Sequence, residues 1–191
     1  MPKEEGYAAT VMEVMNYTMN AGGKRLRPML MQETFRMFGG TGETIEPFMA
    51  AIEMIHTYSL VHDDLPAMDN DDYRRGRKTA HIVYGEAMAI LAGDALLNYA
   101  YETAAKAFTM TTDLQPVVRA FTILTQKPGI YGMIGGQTAD VELTGTTLSE
   151  DALNYIYENK TGALIEASMM IGACLAGASV DTVKEIEQLA G

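Results

Sequence analysis

Apolar residues recur along this chain at intervals of three and four, the spacing of one helix face, and rarely alternate as they would in a strand. In the first such segment, Val11, Val14 and Met15 share a face of a helix predicted from Tyr7 to Asn20, which Gly22-Gly23 ends. Alanine, methionine, leucine and glutamate, all of which favour helix, dominate the chain. The pattern therefore predicts an all-α fold.

The same spacing predicts seven more helices. They cover approximately residues 24–38, 46–64, 86–106, 113–126, 130–143, 149–176 and 179–189. Thr112 and Ser149 are candidate N-caps, and the charge-dense segment from Asp69 to Thr79 is predicted to be a loop. No internal repeat or low-complexity linker interrupts the pattern, so we expect one domain over residues 1–191.

Charge and cysteine content narrow the possible partners. The chain has 14 Lys and Arg residues against 25 Asp and Glu residues, a formal net charge of −11. Nucleic acids and anionic membranes both attract basic surfaces, so neither is an expected partner. The one cysteine, Cys174, excludes an intramolecular disulfide and suits a reducing compartment. Without a long apolar run or a signal peptide core, the sequence predicts a soluble cytoplasmic protein.

The most informative chemistry lies between His62 and Gly76. Asp63, Asp64 and Asp69 follow an apolar helix, at the end where the helix dipole disfavours negative charge. Clustered carboxylates are best tolerated around a divalent cation, and their hard oxygen ligands favour Mg²⁺ or Ca²⁺ over Zn²⁺. An EF-hand is excluded because Arg74 occupies the position that requires glycine. The alternative is a solvated acidic loop.

Cations flank this segment on its C-terminal side and recur near the start of the chain. Arg74 and Arg75 beside carboxylate-held Mg²⁺ would form a receptacle for a diphosphate, the alternative being an ion-paired surface loop. Lys24 and Arg27 lie three residues apart near a predicted helix N-terminus, without P-loop spacing. Two anion sites, of which one has metal ligands, predict two phosphorylated substrates, one of them activated by metal.

Several separate motifs together resemble the trans-isoprenyl diphosphate synthases, specifically the bacterial-type farnesyl/geranyl diphosphate synthase branch. The matching pieces, in order, are Gly22–Pro28, Asp63–Asp72 with Arg74-Arg75-Gly76, Gly93-Asp94, Gly135-Gly136-Gln137 with Asp140, and Lys160-Thr161. Their order and spacing extend the resemblance over nearly the whole chain. It implies an isoprenoid-synthase-type helical bundle around a central cavity.

The resemblance also implies a role for each matching residue. Asp63, Asp64 and Asp69 match the first aspartate-rich motif, whose carboxylates bridge Mg²⁺ to an allylic diphosphate, with two or three ions in a complete enzyme. The residues that match the isopentenyl diphosphate site are Lys24, Arg27, His56 and Arg75. Those that match allylic diphosphate contacts are Arg74, Lys160 and Thr161, while Gln137 and Asp140 match a helix that faces the reaction cavity.

Two of these assignments have independent support in the sequence. His56 precedes Asp63 by seven residues, two helical turns on the same face, so both side chains can reach one cavity. Lys160 lies in an apolar stretch, where a buried lysine needs an anionic partner. His62 and His81 are interpreted as structural residues.

The implied reaction is a prenyl transfer. Metal-assisted loss of diphosphate from an allylic substrate leaves a carbocation, which the double bond of isopentenyl diphosphate attacks. The new cation then loses a proton to the released diphosphate, which restores a double bond. The growing product should run past Tyr58 and Ser59, one turn before Asp63, and the bulky Tyr58 ring resembles the floor of short-chain synthases. We therefore expect a fifteen-carbon product, with ten carbons as the alternative.

The sequence also departs from the family pattern. A second aspartate-rich motif is absent, because every aspartate after Asp72 is isolated, and Lys78 replaces an expected proline. We therefore expect a fragment or the ordered part of a longer synthase, inactive alone, that forms a homodimer. A non-catalytic synthase-like subunit and a class I terpene cyclase are the alternatives. The retained aspartates argue against the first, and Lys24, Arg27 and His56 against the second.

Overall fold

The computed structural model describes residues 1–190 as a helical protein with one small hairpin. The α-helices are α1 (Ala9–Met19), α2 (Leu26–Met37), α3 (Glu46–Asp63), α4 (Ala80–Tyr84), α5 (Glu86–Ala105), α6 (Gln115–Gln126), α7 (Met133–Leu143), α8 (Glu150–Ile156), α9 (Ala163–Leu175) and α10 (Val180–Ala190). A π-helical turn, Tyr157–Gly162, joins α8 to α9, and 3₁₀ turns cover Gly6–Ala8 and Lys106–Thr109. The predicted all-α class is confirmed. Among residues 1–190, none of the helices has both the length and the apolarity to span a bilayer.

The predicted loop between Asp69 and Thr79 contains the hairpin. Strand β1 (Tyr73–Arg74) pairs antiparallel with β2 (Arg77–Lys78). Arg75 and Gly76 form the turn with φ angles of 52° and 76°. Positive φ at both central positions is the requirement of the tightest hairpin turns, where asparagine-glycine is the usual pair. The sequence did not predict this turn because an arginine, rather than the usual asparagine, occupies its first central position.

Helix caps were predicted with mixed success. Ser149 is the N-cap of α8, since its Oγ accepts a hydrogen bond from the backbone N–H of Ala152 at 3.2 Å. The prediction for Thr112 was wrong, because α6 begins at Gln115 and Asp113 Oδ1 accepts the Gln115 N–H at 3.3 Å. The helix predicted for residues 149–176 is interrupted by the π-helical turn.

Two compact units make up the described chain. Residues 1–25 and 53–102 form the first unit, and residues 26–52 with residues 103 onward form the second. In the first unit, α1 packs on α4, and the rings of Tyr17 and Tyr84 meet edge to face at 5.4 Å between centroids. Most of its buried apolar residues come from α1, α3 and α5 and include Val14, Ile55 and Leu96.

Helix α9 is the centre of the second unit. It packs against α2, α6 and α10, and most of its residues are buried. Gly172 allows the closest of these approaches, because a Cβ atom there would collide with the carbonyl oxygen of Met31 and lie 3.0 Å from the Phe35 nitrogen on α2. The backbone of α2 therefore occupies the space that a side chain at Gly172 of α9 would need.

Replacing Gly172 with alanine should destabilise the second unit by about 1–3 kcal/mol, the usual cost of overpacking a core. Urea denaturation would measure the loss. Gly162→Ala is the matched control, since a Cβ at Gly162 lies 3.5 Å from its nearest neighbour and φ there is −63°. Equal stability of the two variants would contradict the close packing of α2 on α9.

The Tyr58 phenol should ionise at a higher pH than that of an ordinary tyrosine. Burial, with a smaller contribution from Tyr101, raises the pKa of Tyr58 to about 12. Because the unfolded pKa is about 10, the phenol contributes stability that is present below pH 10 and lost as the pH rises through 12. The phenolate absorbance at about 295 nm should be titrated in the parent chain and in Tyr58→Phe, and the difference between the two curves should have its midpoint near pH 12. A difference with its midpoint near pH 10 would contradict the burial of Tyr58.

Candidate functional site

The end of α3 and the residues that follow form a tight turn, here called the aspartate turn (residues 63–72). The backbone N–H of Asp69 donates to the Asp63 carbonyl at 2.9 Å, and that of Asp71 donates to the Asp64 carbonyl at 3.2 Å. The chain thus folds back on itself, and Pro66 and Ala67 lie exposed within the turn. Aspartates six and seven residues apart in sequence become backbone neighbours.

Asp64 is buried and paired with Arg74 of β1. Its Oδ1 accepts a hydrogen bond from Arg74 Nε at 2.7 Å and forms an ion pair with Nη2 at 2.6 Å, while Asp71 Oδ2 lies 3.8 Å from the same Nη2. Burial raises the pKa of the Asp64 carboxyl, and Arg74 opposes that rise. Burial lowers the pKa of Arg74, but Asp64, together with Asp63 and Asp71, more than compensates, so the pKa of Arg74 rises.

The predicted metal ligands do not form a ready-made cage. Within residues 1–190, no three His, Cys, Asp or Glu side chains come close enough to hold one ion. Asp64 is buried against Arg74, whereas Asp69 is exposed. The donor atoms still fit Mg²⁺, which usually binds one or two carboxylates together with substrate phosphates. The assignment of Asp63, Asp64 and Asp69 to a metal stays a prediction.

Arg75 connects the hairpin to residues 20–25, here called the diglycine loop. Its guanidinium donates to the Gly22 carbonyl and packs so closely on Gly23 that a Cβ there would collide with it. Arg77 donates to the Asn20 carbonyl at 3.1 Å and stacks over the Tyr17 ring at 4.4 Å. The structure therefore brings Arg75 to the loop that carries the exposed Lys24.

Arg25 is a residue that the sequence analysis did not single out. Its Nη1 lies 2.5 Å from Glu53 Oε1 on α3, and its Nη2 donates to the Met19 carbonyl at 2.6 Å. The available signal was Glu53 itself, a charge within the apolar run of α3 that needs a cation when buried. Local sequence patterns could not identify which cation, 28 residues earlier, would supply it.

The remaining residues of α3 have clear positions. His56 is half-buried, and the Ser59 hydroxyl donates to its carbonyl at 2.9 Å. Tyr58 is buried, with its ring edge to face with His62 at 5.9 Å. The His62 ring packs on Gly93 of α5, where no Cβ would fit, which explains that glycine.

His81 is likewise consistent with a structural role. Its ring is buried at the start of α4, with Nδ1 3.1 Å from the Thr79 hydroxyl.

A second group of predicted residues lies in the second unit. Lys160, in the π-helical turn, donates to Asp140 Oδ2 of α7 at 2.5 Å, so the lysine has the anionic partner that its setting requires. Gly136 makes this possible, because a Cβ there would meet the backbone of Lys160 and would lie 2.8 Å from Asn159. π-Helical turns are rare and are frequent at functional sites.

The predicted residues thus divide between the two units. The first unit contains Lys24, His56, Tyr58, Ser59, Asp63, Asp64, Asp69, Arg74 and Arg75, and the second contains Arg27, Gln137, Asp140, Lys160 and Thr161. In the second set, Arg27 lies in the first turn of α2, Gln137 lies one turn before Asp140 on α7, and Thr161 follows Lys160 in the π-helical turn.

Comparison with known proteins gives consistent matches. The polyprenyl synthetase family model matches residues 8–191. Over 186 residues the chain is 46% identical to the farnesyl diphosphate synthase of Geobacillus stearothermophilus, covering 95% of this chain and 61% of that protein. Over 183 residues it is 45% identical to the large subunit 1 of a chloroplastic heterodimeric geranylgeranyl pyrophosphate synthase of Arabidopsis thaliana, covering 93% and 49%.

A solved structure agrees with these matches. The apo structure of an FPP/GFPP synthase from Zymomonas mobilis superposes with a TM-score of 0.92 at 35% identity, covering 99% of this chain and 68% of that one. The predicted isoprenoid-synthase-type helical fold is confirmed. The chain spans 49–61% of the length of these two curated relatives. On the family match over almost its whole length, this chain belongs to the polyprenyl synthetase family.

Proposed function

We propose that this chain carries the substrate-binding residues of a trans-prenyltransferase that joins isopentenyl diphosphate to an allylic diphosphate. One observation carries the proposal furthest. The adjacent residues Arg74 and Arg75 reach two different segments: Arg74 contacts Asp64 in the aspartate turn, and Arg75 contacts Gly22 in the diglycine loop. A single hairpin thus joins a carboxylate-rich segment to a cationic one, as a two-substrate diphosphate site requires.

Asp63, Asp64 and Asp69 would hold Mg²⁺, with two or three ions in the complete enzyme. Bound Mg²⁺ would stabilise the negative charge of a departing diphosphate. Arg74 and Lys160 are assigned to the allylic diphosphate together with Thr161. Both cations are already paired with carboxylates, Asp64 and Asp140, so an entering diphosphate would replace one anionic partner with another.

The other assignments follow the same division of the site. Lys24, Arg27, His56 and Arg75 are assigned to isopentenyl diphosphate, and Gln137 and Asp140 to the wall of the reaction cavity. Because both substrates are positioned by fixed cations, the residues contribute mainly proximity and charge stabilisation. No side-chain nucleophile is needed.

The product is proposed to be short. The named relatives include a farnesyl and a geranylgeranyl diphosphate synthase, whose names imply different chain lengths. Tyr58 favours the shorter product because its ring is buried on the helix that ends in the aspartate turn. We assign a fifteen-carbon product, with ten carbons as the alternative.

Assembly and location remain predictions. A homodimer in the cytoplasm is the expected form. The heterodimeric relative favours a second candidate, a synthase-like subunit that acts with another chain, because it shows that related chains occur in mixed assemblies. Condensation by the purified chain alone would separate this candidate from the enzyme.

The first test is ligand binding by the whole chain, measured by calorimetry, with radiolabelled condensation assays alongside. Dimethylallyl diphosphate should bind only with Mg²⁺, and Asp63→Asn should weaken that binding about 10–100-fold, as expected for loss of a metal-site residue. Isopentenyl diphosphate binding should be unchanged in this variant. Asp72→Asn removes the same charge from the same turn and is the matched control. Metal-independent binding of the allylic substrate would contradict the proposal.

The second test concerns product length in a preparation that condenses the substrates. Tyr58→Ala should shift the product to longer chains, because truncation removes the buried ring from the expected path of the product. Tyr58→Phe keeps the ring and should retain the parent product. Chromatography of the products would measure the shift. If Tyr58→Ala gave a product of unchanged chain length, the Tyr58 ring could not be the residue that limits product length.

A further inference from the structure

Arg25 joins three segments of the first unit. Its side chain reaches Glu53 of α3 through Nη1 at 2.5 Å and the Met19 carbonyl at the end of α1 through Nη2 at 2.6 Å. Its own backbone belongs to the diglycine loop and has a φ of 51°. The residue therefore holds α1, α3 and the loop together through two charge-assisted contacts.

The buried Glu53 carboxylate and the left-handed backbone of Arg25 are both unfavourable in isolation. Glu53 is 6% exposed, and a buried carboxylate is stable only when paired and hydrogen-bonded. A left-handed backbone at a residue other than glycine is uncommon and persists where its surroundings enforce it. Arg25, the residue next to Lys24, has the left-handed backbone and pairs with the buried Glu53, so the backbone of the loop is fixed at this point.

A second contact fixes the same loop from the other side. The guanidinium of Arg75 donates to the Gly22 carbonyl, two residues before Lys24. Lys24 itself is exposed, and thus lies between two anchored residues with its side chain available to solvent. Glu53 also precedes His56 by three residues, which places both on one face of α3. The Arg25–Glu53 pair thus connects the loop bearing Lys24 to the helix bearing His56.

We propose that Arg25 and Glu53 are positioning residues for the isopentenyl diphosphate site. They contact no substrate and instead hold Lys24 in place relative to α3, so that the diphosphate meets a cation whose backbone is already ordered. This inference rests on the proposed function, since it concerns the substrate assigned to Lys24. Loss of the pair should weaken isopentenyl diphosphate binding and leave Mg²⁺-dependent binding at the aspartate turn intact.

The experiment compares variants of the whole chain by calorimetry. Arg25→Gln alone leaves Glu53 buried without a cation, so the central variant is Arg25→Gln/Glu53→Gln, which removes both charges and keeps similar side-chain volumes. Arg25→Lys keeps the charge but loses the fork that reaches two acceptors. Arg36→Gln is the matched control, because it breaks an exposed ion pair with Glu33 at 2.8 Å on α2.

The double variant should bind isopentenyl diphosphate about tenfold more weakly, a loss typical of small displacements in a binding geometry. Arg25→Lys should lose about threefold, and Arg36→Gln should match the parent chain. Mg²⁺-dependent binding of dimethylallyl diphosphate should stay within about twofold in all three variants. Hydrogen exchange at residues 22–25 should accelerate in the double variant only.

Each other outcome overturns a defined statement. A folded double variant with parental affinity for isopentenyl diphosphate and parental exchange would overturn the positioning role alone. An equal loss for both substrates with a lowered melting temperature would mean a purely structural pair and would also overturn it. If the double variant does not fold, parental affinity in Arg25→Lys overturns it instead. A parent chain that binds neither substrate would refute the proposed function itself.

Discussion

Two carboxylates are buried along one face of α3, and in a medium of low dielectric constant each requires a cation. Glu53 and Asp64 lie eleven residues apart, close to three helical turns, so they point to the same side of the helix. Arg25 pairs with the first and Arg74 with the second; Arg25 comes from the diglycine loop and Arg74 from strand β1, so neither comes from a helix. The need of these two carboxylates for cations thus holds the diglycine loop, which carries Arg25, and the hairpin, which carries Arg74, against this side of the helix.

The second unit follows the same rule with lysines. Lys127, just after α6, contacts Glu166 of α9 and lies 2.8 Å from Glu187 Oε1 of α10. Burial lowers the pKa of Lys127, but the two glutamates raise it by more, so the lysine stays charged. Lys160 and Asp140 form the corresponding pair at the π-helical turn. In each unit, some cations are therefore paired with carboxylates rather than left to solvent.

The sequence predicted what depends on local spacing. Apolar periodicity located the longer helices but missed the short α4, and the Ser149 cap was found because the cap and its partner lie three residues apart. The hairpin was missed because its turn uses Arg75-Gly76, and the π-helical turn was missed because one extra residue per turn leaves no periodic pattern. Residue chemistry identified the candidate site, but the Arg25–Glu53 contact spans 28 residues and depends on the folded chain.

Glycines explain part of what the family motifs encode. Gly23 leaves room for Arg75, Gly93 for the His62 ring, and Gly136 for the backbone of Lys160. In each case the missing side chain lets a charged or aromatic residue approach the backbone of a neighbouring segment. At Gly136 the glycine and an ion pair act together, because the close approach of α7 to the π-helical turn accompanies the contact of Lys160 with Asp140.

This arrangement bears on how a diphosphate would bind under the proposed function. Arg74 is already partly withdrawn from water, so an entering anion need not remove a full hydration shell from it. It must instead displace Asp64. A carboxylate released in this way needs a new cation, and Mg²⁺ arriving with the diphosphate would provide one. Binding of the diphosphate and binding of Mg²⁺ are thus coupled. The diphosphate frees a carboxylate that Mg²⁺ can bind, and Mg²⁺ in turn removes that carboxylate from competition for the cation.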